Sequence, residues 1–393
     1  LVNPQVLIVD EVHMFGNPKR WSVVQKPDGT PDFRHRTTKK GNLSLTVAAM
    51  QVAQHESIDL RIGLSATPFD DGRPRRLWSQ LDMLWPGGFS CSYRRFALRY
   101  CGARLNEYGG IDDKGSSNLD ELKARTSFFL YEVPYSMSHG ELPPTRVQVV
   151  RIDGNDLSRA ARYSEDETYN QAEKALAKRI AQAGRDPKLR RMLTELRLAA
   201  GCSKKRRYVT EEAVEGLQGG GKVVVFTARR AETEIWANDI KKKASQGDRR
   251  LAANVWIVHG GIPDGERDRI LDAFRDAEGA CCLVATGQSV GLGVDGLQTA
   301  NLALFAMLPW RPGDFVQWKG RFDRLGGTAT LLKIVVAKGT YDETVVQTLV
   351  DKFGPVETFF EAEELRGIAD KLTGMDNYEG VINDLVARLF GGV

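Results

Sequence analysis

Apolar positions gather in short unbroken runs near the start of the chain and again through its second half. There they alternate with stretches of helical period. The first run is residues 6–9, Val-Leu-Ile-Val. A short continuous apolar run is the pattern of a strand buried on both faces, as in a parallel sheet. Residues 14–42 are polar and rich in Gly and Pro, and read as a loop longer than compact domains usually carry without a function. Residues 43–54, with Leu43, Leu45, Val47, Ala48 and Val52, predict a helix. Residues 60–68 predict a strand that breaks into a Ser-Ala-Thr-Pro turn, helped by Pro68. Helices are expected over 77–89, stopped by Pro86-Gly87-Gly88, and over 116–125, with Ser117 or Asn118 as N-cap. Residues 146–152 alternate like a strand leaving the first domain.

Residues 157–217 are rich in Ala, Glu, Lys and Arg. They predict helices near 157–183 and 187–200, then a basic turn at Lys204-Lys205-Arg206-Arg207 that either touches phosphates or is simply solvated. From residue 223 the pattern becomes strand 223–227, helix 230–244, strand 254–258, helix 264–276, strand 281–285, a loop to 299, strand 302–307, a helix start near 314–322, strand 329–337 and helix 341–352. Thr340 and Glu343 are placed for a capping box. Such alternation predicts a parallel sheet covered by helices. Residues 356–393 are helical with Gly breaks.

Composition changes this picture little. At 42% hydrophobic and 27% charged over 393 residues, the chain is of ordinary globular type with room for two or three domains. A formal net charge of +4 does not by itself announce a nucleic-acid binder; clustering matters more. Five cysteines without a C-x-x-C pair indicate neither a zinc site nor a disulfide framework. No stretch approaches a membrane span and no signal peptide is found, so an intracellular, soluble setting is expected: cytoplasmic in a prokaryotic or viral-host context, nuclear in a eukaryote. The chain starts at Leu1 and reaches its first strand within a few residues, which gives the expectation of a fragment that lost an N-terminal portion.

Chemistry concentrates at strand ends, where open α/β sheets place it. Asp10 and Glu11 follow the first apolar run and His13 comes next, a D-E-x-H arrangement. In a Walker B site one carboxylate holds the Mg²⁺ of a nucleoside triphosphate and the next orients or deprotonates the attacking water. The alternative is an acidic turn after a core strand. Ser65-Ala66-Thr67 supplies small hydroxyl residues at a second strand end, which can couple a nucleotide site to a neighbouring lobe. Residues 216–222, Gly-Leu-Gln-Gly-Gly-Gly-Lys, have the spacing of a phosphate loop but are rejected as one. Val223 stands where Ser or Thr would ligate Mg²⁺, and the segment precedes a strand instead of opening a helix. In the second half, residues 291–296 form a glycine-rich stretch in which Gly293 permits close approach and Asp295 can bind a hydroxyl. Arg321 and Arg324, three apart, share a helix face, the arrangement of arginine fingers that neutralise a γ-phosphate; an exposed basic helix end is the alternative.

Taken together these stretches resemble the helicases of superfamily two. Residues 10–13 resemble motif II, 65–67 motif III, 286–296 motif V and 317–326 motif VI. Within that superfamily the chain is similar to the Swi/Snf-related DNA translocases, through Leu77-Trp78-Ser79, Pro86-Gly87-Gly88-Phe89, Leu142-Pro143-Pro144, Trp310-Arg311-Pro312 and Lys338-Gly339-Thr340 with Asp342-Glu343. Residues 115–123 and 336–340 resemble the annealing-helicase, fork-remodelling branch. Three departures stand out: Leu130-Tyr131 where the family has paired arginines, Gly326-Gly327 where it has glycine-glutamine, and Arg311 where it has asparagine.

The resemblance implies an α/β fold of two RecA-like parallel-sheet lobes, the first incomplete, with a helical insertion between them. The expected bounds are 1–153 for the first lobe, 154–217 for the insertion, 218–355 for the second lobe and 356–393 for a helical tail. It implies ATP and Mg²⁺ as cofactors. Asp10 would bind Mg²⁺ through water, and Glu11 would activate water. His13, Arg321 and Arg324 complete the catalytic set. Gln317, Gly293 and Asp295 would touch the nucleotide. Ser65, Thr67, His259 and Arg311 would contact nucleic acid or couple the lobes. The expected activity is ATP-driven movement along DNA, through backbone contacts, with RNA as an alternative substrate. Because no Walker A loop precedes Asp10, the fragment alone is expected to be inactive. A non-catalytic nucleic-acid-binding module or half of a split enzyme is the competing reading.

Overall fold

The computed structural model describes residues 4–16, 24–25, 31–32, 45–88, 92–105, 111–133, 145–152, 203–291, 294–338, 340–360 and 363–373. They fall into two compact units. The first comprises Leu1–Glu132, Arg311–Gly313 and Lys352–Arg366; the second comprises Val133–Trp310, Asp314–Asp351 and Gly367–Val393.

In the first unit, β1 (Val6–Val9) runs parallel to β2 (Leu60–Gly63), with Val6 opposite Leu60 and Ile8 opposite Ile62. Between them lies α1 (Leu45–Ala53). After β2 come α2 (Arg75–Leu84), α3 (Tyr93–Tyr100) and α4 (Leu119–Thr126). The core is built from Met50, Phe69, Leu77, Leu81, Phe96, Tyr100, Leu122 and Phe359. Phe69 meets Phe359 at 4.9 Å between ring centroids. Leu7 and Val9 pack on this core, whereas Val6, Ile8, Leu60 and Ile62 remain 51%, 61%, 50% and 38% exposed. β1 is therefore covered on one face only, against the expectation from its unbroken apolar run. Side chains of a strand alternate between faces, and among the described residues the helices of this unit lie against one of them.

The second unit is a six-stranded sheet, parallel throughout. Its strands are β3 (Arg146–Ile152), β4 (Lys222–Thr227), β5 (Val255–Val258), β6 (Cys281–Thr286), β7 (Leu302–Phe305) and β8 (Leu331–Ala337), in the order β3-β8-β7-β4-β6-β5. β3, expected as a strand leaving the first lobe, pairs along its whole length with β8 and forms an edge of this sheet. Every residue of β6 is buried, and Val223, Val224, Val225 and Phe226 of β4 are inaccessible. Helix α5 (Ser203–Gln218) packs on β4, and α6 (Arg230–Gly247) packs against α5 and β5. α7 (Arg249–Ala253), α8 (Asp264–Asp276), α9 (Gly287–Gly291), α10 (Pro312–Lys319), α11 (Tyr341–Phe360) and α12 (Glu363–Thr373) follow. The alternation expected from residue 223 onward and the α/β class are thus present.

Three local expectations change. The basic tetrad 204–207 is not a turn. It opens α5, where Lys205 is buried and donates to Asp342 Oδ2 at 2.5 Å, Arg206 pairs with Asp239, and Arg207 donates to Glu211 at 2.8 Å. A buried carboxylate and an amphipathic helix face claim those cations before any phosphate can. The same helix places 203–217 on the second unit's sheet and outside a separate insertion; residues 153–202 lie outside the described set. Finally, Asn118 precedes α4 in the left-handed region (φ 48°) and makes no side-chain cap, because its amide donates to the Arg99 carbonyl at 2.7 Å. The glycine-rich stretch 219–221 joins the end of α5 to β4, a helix-to-strand link that is the reverse of a phosphate loop.

Candidate functional site

Residues at the carboxyl ends of β1 and β2 form the candidate site of the first unit. Past Val9 the chain turns through Asp10 and Glu11. Glu11 adopts φ 50°, ψ 45°, a left-handed conformation that costs a non-glycine residue about 1–3 kcal/mol. The turn is held by the Val12 amide donating to the Leu64 carbonyl and the Leu64 amide donating to the Val9 carbonyl, both at 2.9 Å. It directs His13 back across the strand ends. His13 Nδ1 lies 3.0 Å from Ser65 Oγ and 3.1 Å from Glu11 Oε2. Ser65 Oγ also accepts from the Thr67 amide at 3.0 Å. Three sequence-expected residues, Glu11, His13 and Ser65, thus meet at adjoining parallel strand ends, with Thr67 behind them.

Glu11 Oε2 therefore has the His13 ring nitrogen as its neighbour, whereas Thr67 Oγ1 is buried without a partner. Asp10 is exposed, and its Oδ1 accepts from the Glu11 amide at 2.9 Å. A solvent-facing carboxylate next to a second one fits a hard, water-carrying divalent cation such as Mg²⁺. Among the described residues no group of three or more His, Cys, Asp or Glu side chains is placed to cage a metal.

The second unit has its own candidate residues, at the carboxyl edge of its sheet. β6 ends at Thr286, whose Oγ1 is 2.7 Å from Ser289 Oγ in α9. Gly287 is required there: a Cβ at that position would sit 1.9 Å from the Trp318 ring. Trp318 lies parallel to Phe226 (5.5 Å, 4°) and so locks α10, which carries the half-buried Gln317, onto the sheet. The chain leaving α10 delivers two arginines to one acceptor. Arg321 Nη1 donates to the Val294 carbonyl at 2.9 Å, and Arg324 Nη1 donates to the same oxygen at 3.1 Å and to Asp295 Oδ1 at 2.8 Å. Arg321 is buried; Arg324 is partly exposed. The Arg324 hydrogen bond holds the Asp295 carboxyl below its ordinary range. Gln298 secures the loop by accepting from the Gly296 amide at 2.8 Å and donating to Asp295 at 3.2 Å, while Gly296 takes φ 104°. Gly293 lies outside the described residues.

The remaining candidates are placed as follows. His259, just past β5, is buried; its Nδ1 accepts from the Gly261 amide at 3.1 Å. Arg311, within the first unit, reaches Asp70 Oδ2 at 3.4 Å. That contact belongs to a network the sequence reading missed. Arg76 clasps Asp70 through two bonds of 2.6 Å, and Arg75 joins Asp71 (2.7 Å) to Asp113 (3.1 Å). The signal was the alternation of Asp70-Asp71 with Arg73, Arg75 and Arg76. Gln298 and the Val294 carbonyl were missed as well. A backbone oxygen leaves no mark in a sequence, and Gln298 acts through the Gly296 amide and Asp295 of a loop whose shape no residue pattern announces.

The first unit thus holds a strained acidic turn at the ends of parallel strands, and the second, by itself, holds a convergent pair of guanidiniums. Known proteins are similar to this chain as follows. Residues 204–326 match the family described as helicase conserved C-terminal domain. The chain is 25% identical over 352 residues to the SWI/SNF-related matrix-associated actin-dependent regulator of chromatin subfamily A-like protein 1 of Xenopus tropicalis, covering 88% of this chain and 32% of that protein. It is 26% identical over 293 residues to the protein of the same name from Xenopus laevis, covering 74% and 28%. The chain thus spans about a third of the length of the relatives it matches. Among solved structures, the SWI2/SNF2 ATPase core of Sulfolobus solfataricus in complex with dsDNA aligns at 18% identity and a TM-score of 0.44, over 99% of this chain and 73% of that one. The resemblance to Swi/Snf-related helicases of superfamily two, drawn from four motifs, is borne out by the sequence relatives.

Proposed function

We propose that this chain forms part of an ATP-driven DNA translocase. The observation that carries the reading is the meeting of Glu11, His13 and Ser65 at the ends of two adjacent parallel strands. A general base must be held in place yet keep an oxygen free for the proton it takes. Glu11 is held by the left-handed turn and by His13 against Oε2, which leaves Oε1 as the oxygen to take the proton. His13, bonded to Ser65, ties this turn to the second strand end, so a shift of one is felt by the other. Asp10, facing solvent, would hold Mg²⁺ through a water; when bound, the ion offsets charge on the triphosphate. In the second unit, Arg321 and Arg324 supply positive charge from donors already oriented by the Val294 carbonyl and Asp295, with Gln317 on the preceding helix. Gly293 and Asp295 would approach the nucleotide. Ser65, Thr67, His259 and Arg311 would relay its state to DNA, gripped by its phosphates and therefore with little sequence preference.

The sequence holds no G-x-x-x-x-G-K-[ST] run, so a phosphate cradle is not among these residues. The test is accordingly made on the full-length gene product. Its ATP hydrolysis should rise with duplex DNA more than with single-stranded DNA or RNA. Arg324→Ala should reduce that hydrolysis by about 10³-fold or more while leaving DNA affinity within a factor of two, as expected of a transition-state arginine. Hydrolysis stimulated by RNA alone would replace the DNA reading; unchanged hydrolysis in the Arg324 variant would remove the arginine from the reaction.

A further inference from the structure

Many surface charges of the second unit are paired at short range. On α8, Arg267 meets Asp264 at 3.1 Å and Arg275 meets Asp272 at 2.8 Å. On α5 and α6, Arg207 meets Glu211 and Arg230 meets Glu234, at 2.8 and 3.2 Å. On β8, Lys333 meets Glu212 at 2.6 Å. At the far end of α6 this stops. Lys241, Lys242 and Lys243 in its last turns, and Arg249 and Arg250 in α7, have no carboxylate within ion-pair distance among the described residues. Lys242, Lys243, Arg249 and Arg250 are exposed and Lys241 half-buried. The carboxylates nearest in sequence are engaged: Asp239 by Arg206, and Asp248 by the Arg250 amide it caps at 2.8 Å. Between residues 241 and 250 five cations face one carboxylate, so this stretch alone carries as much net positive charge as the whole chain, +4. A helix C-terminus welcomes a cation or two through its dipole, which fades within the last turn. It does not account for five, two of them on the next helix.

The patch is also well separated from the candidate nucleotide residues of its unit. α6 leaves the carboxyl end of β4 and returns to the amino end of the parallel β5, so residues 241–254 lie toward the amino edge of the sheet. Arg321, Arg324 and Asp295 belong to the carboxyl edge. The cations spread over two helix ends with Ser245, Gln246 and Gly247 between them and no exposed large apolar residue. Protein interfaces are built round an apolar or aromatic centre. Contacts to a nucleic-acid backbone need only cations and small polar donors.

From this contrast we infer that Lys241, Lys242, Lys243, Arg249 and Arg250 form an auxiliary binding surface for the phosphate backbone of duplex DNA, distinct from the motor residues. It gives a hold that is sequence-independent and strongly weakened by salt, as each neutralised phosphate releases condensed counterions. It goes beyond the ATP-driven reading and needs no nucleotide chemistry, so loss of that reading leaves it standing.

The test is fluorescence anisotropy of a labelled DNA duplex with the full chain, without nucleotide, over a range of NaCl concentrations. The quintuple variant K241Q/K242Q/K243Q/R249Q/R250Q should bind at least about tenfold more weakly at roughly 0.1 M salt. Its slope of log K against log salt should be shallower by about 0.9 for each cation that touches a phosphate. A matched variant of ion-paired cations, R207Q/R230Q/R267Q/R275Q, should keep the wild-type slope, and thermal melting should confirm that both variants fold. Wild-type affinity and slope in the quintuple variant, or an equal loss in the matched one, would overturn the inference. So would displacement of the DNA by poly-glutamate at lower charge concentration than by unlabelled duplex, which would mark an acidic protein as the preferred partner.

Discussion

The two units treat the same raw material, apolar parallel strands, in different ways. In the second, β6 is buried along its whole length and β4 from Val223 onward, neighbours flank them on both sides, and even a charged pair, Lys205 with Asp342, is sealed inside. In the first, β1 and β2 pair only with each other among the described residues, and the side chains of one face are in solvent. Yet it is the first unit that holds a non-glycine residue in a left-handed turn, its carboxylate set against a buried histidine. Sheet continuity therefore does not track chemical preparation. The second unit is organised for a rigid presentation of arginines, the first for a local strain that its own packing must sustain.

This contrast can be broken or sharpened by measurement. The largest effect is expected in the first unit and on rate: Glu11→Gln in the full-length gene product should lower ATP hydrolysis by about 10²–10⁴-fold, the range for loss of a general base. It should leave the melting temperature unchanged, since the amide keeps the side chain's shape. Normal turnover in that variant would strip the strained turn of its role. Next comes stability of the second unit. Lys205→Met leaves Asp342 buried without its cation and should cost about 3–5 kcal/mol in chemical denaturation, while replacing both partners by apolar residues should restore most of it. A loss below about 1 kcal/mol would mean that the pair is solvated after all.

Smaller effects compare the two sheets directly. Ile8→Thr, on the bare face, should change stability by no more than about 0.5 kcal/mol. Val224→Thr buries a hydroxyl in the second sheet and should cost about 1–3 kcal/mol. Equal costs would show that the face carrying Ile8 is covered in solution. Smallest near neutrality is a pH effect confined to the second unit. Burial pushes the Cys281 thiol up to about 11 and Cys282 higher still. Unfolded thiols ionise near 8.5, so the folded state binds more protons above that pH. The contribution is complete below about pH 8.5 and is lost as pH rises toward 11, by at most about 1.4 kcal/mol per pH unit for each thiol. A melting temperature of the second unit that stays flat from about pH 8 to 10 would contradict this burial.

Much of the second unit was legible in the sequence because its signals are local. Unbroken apolar runs, helical spacing and glycine breaks fall in the alternating order of a parallel α/β sheet, and α8 spans 264–276 as its pattern indicated. The chemistry at 10–13, 65–67 and 321–324 was legible for a related reason: residue type and spacing at strand ends carry it. What the sequence alone could not decide were partnerships made across long stretches of chain. β3 looks like a terminal strand of the first lobe until β8, nearly two hundred residues away, supplies its hydrogen bonds. Lys205 reads as a solvated cation until Asp342 closes over it, and Arg321 as a free finger until the Val294 carbonyl receives it. An apolar run states that a strand seeks burial; only the fold determines how many of its faces find cover. The sequence thus determined the elements and the reactive groups, because both depend on near neighbours. The tertiary structure decided which sheet each strand joins and which charge each cation answers, because those energies exist only after distant segments have met.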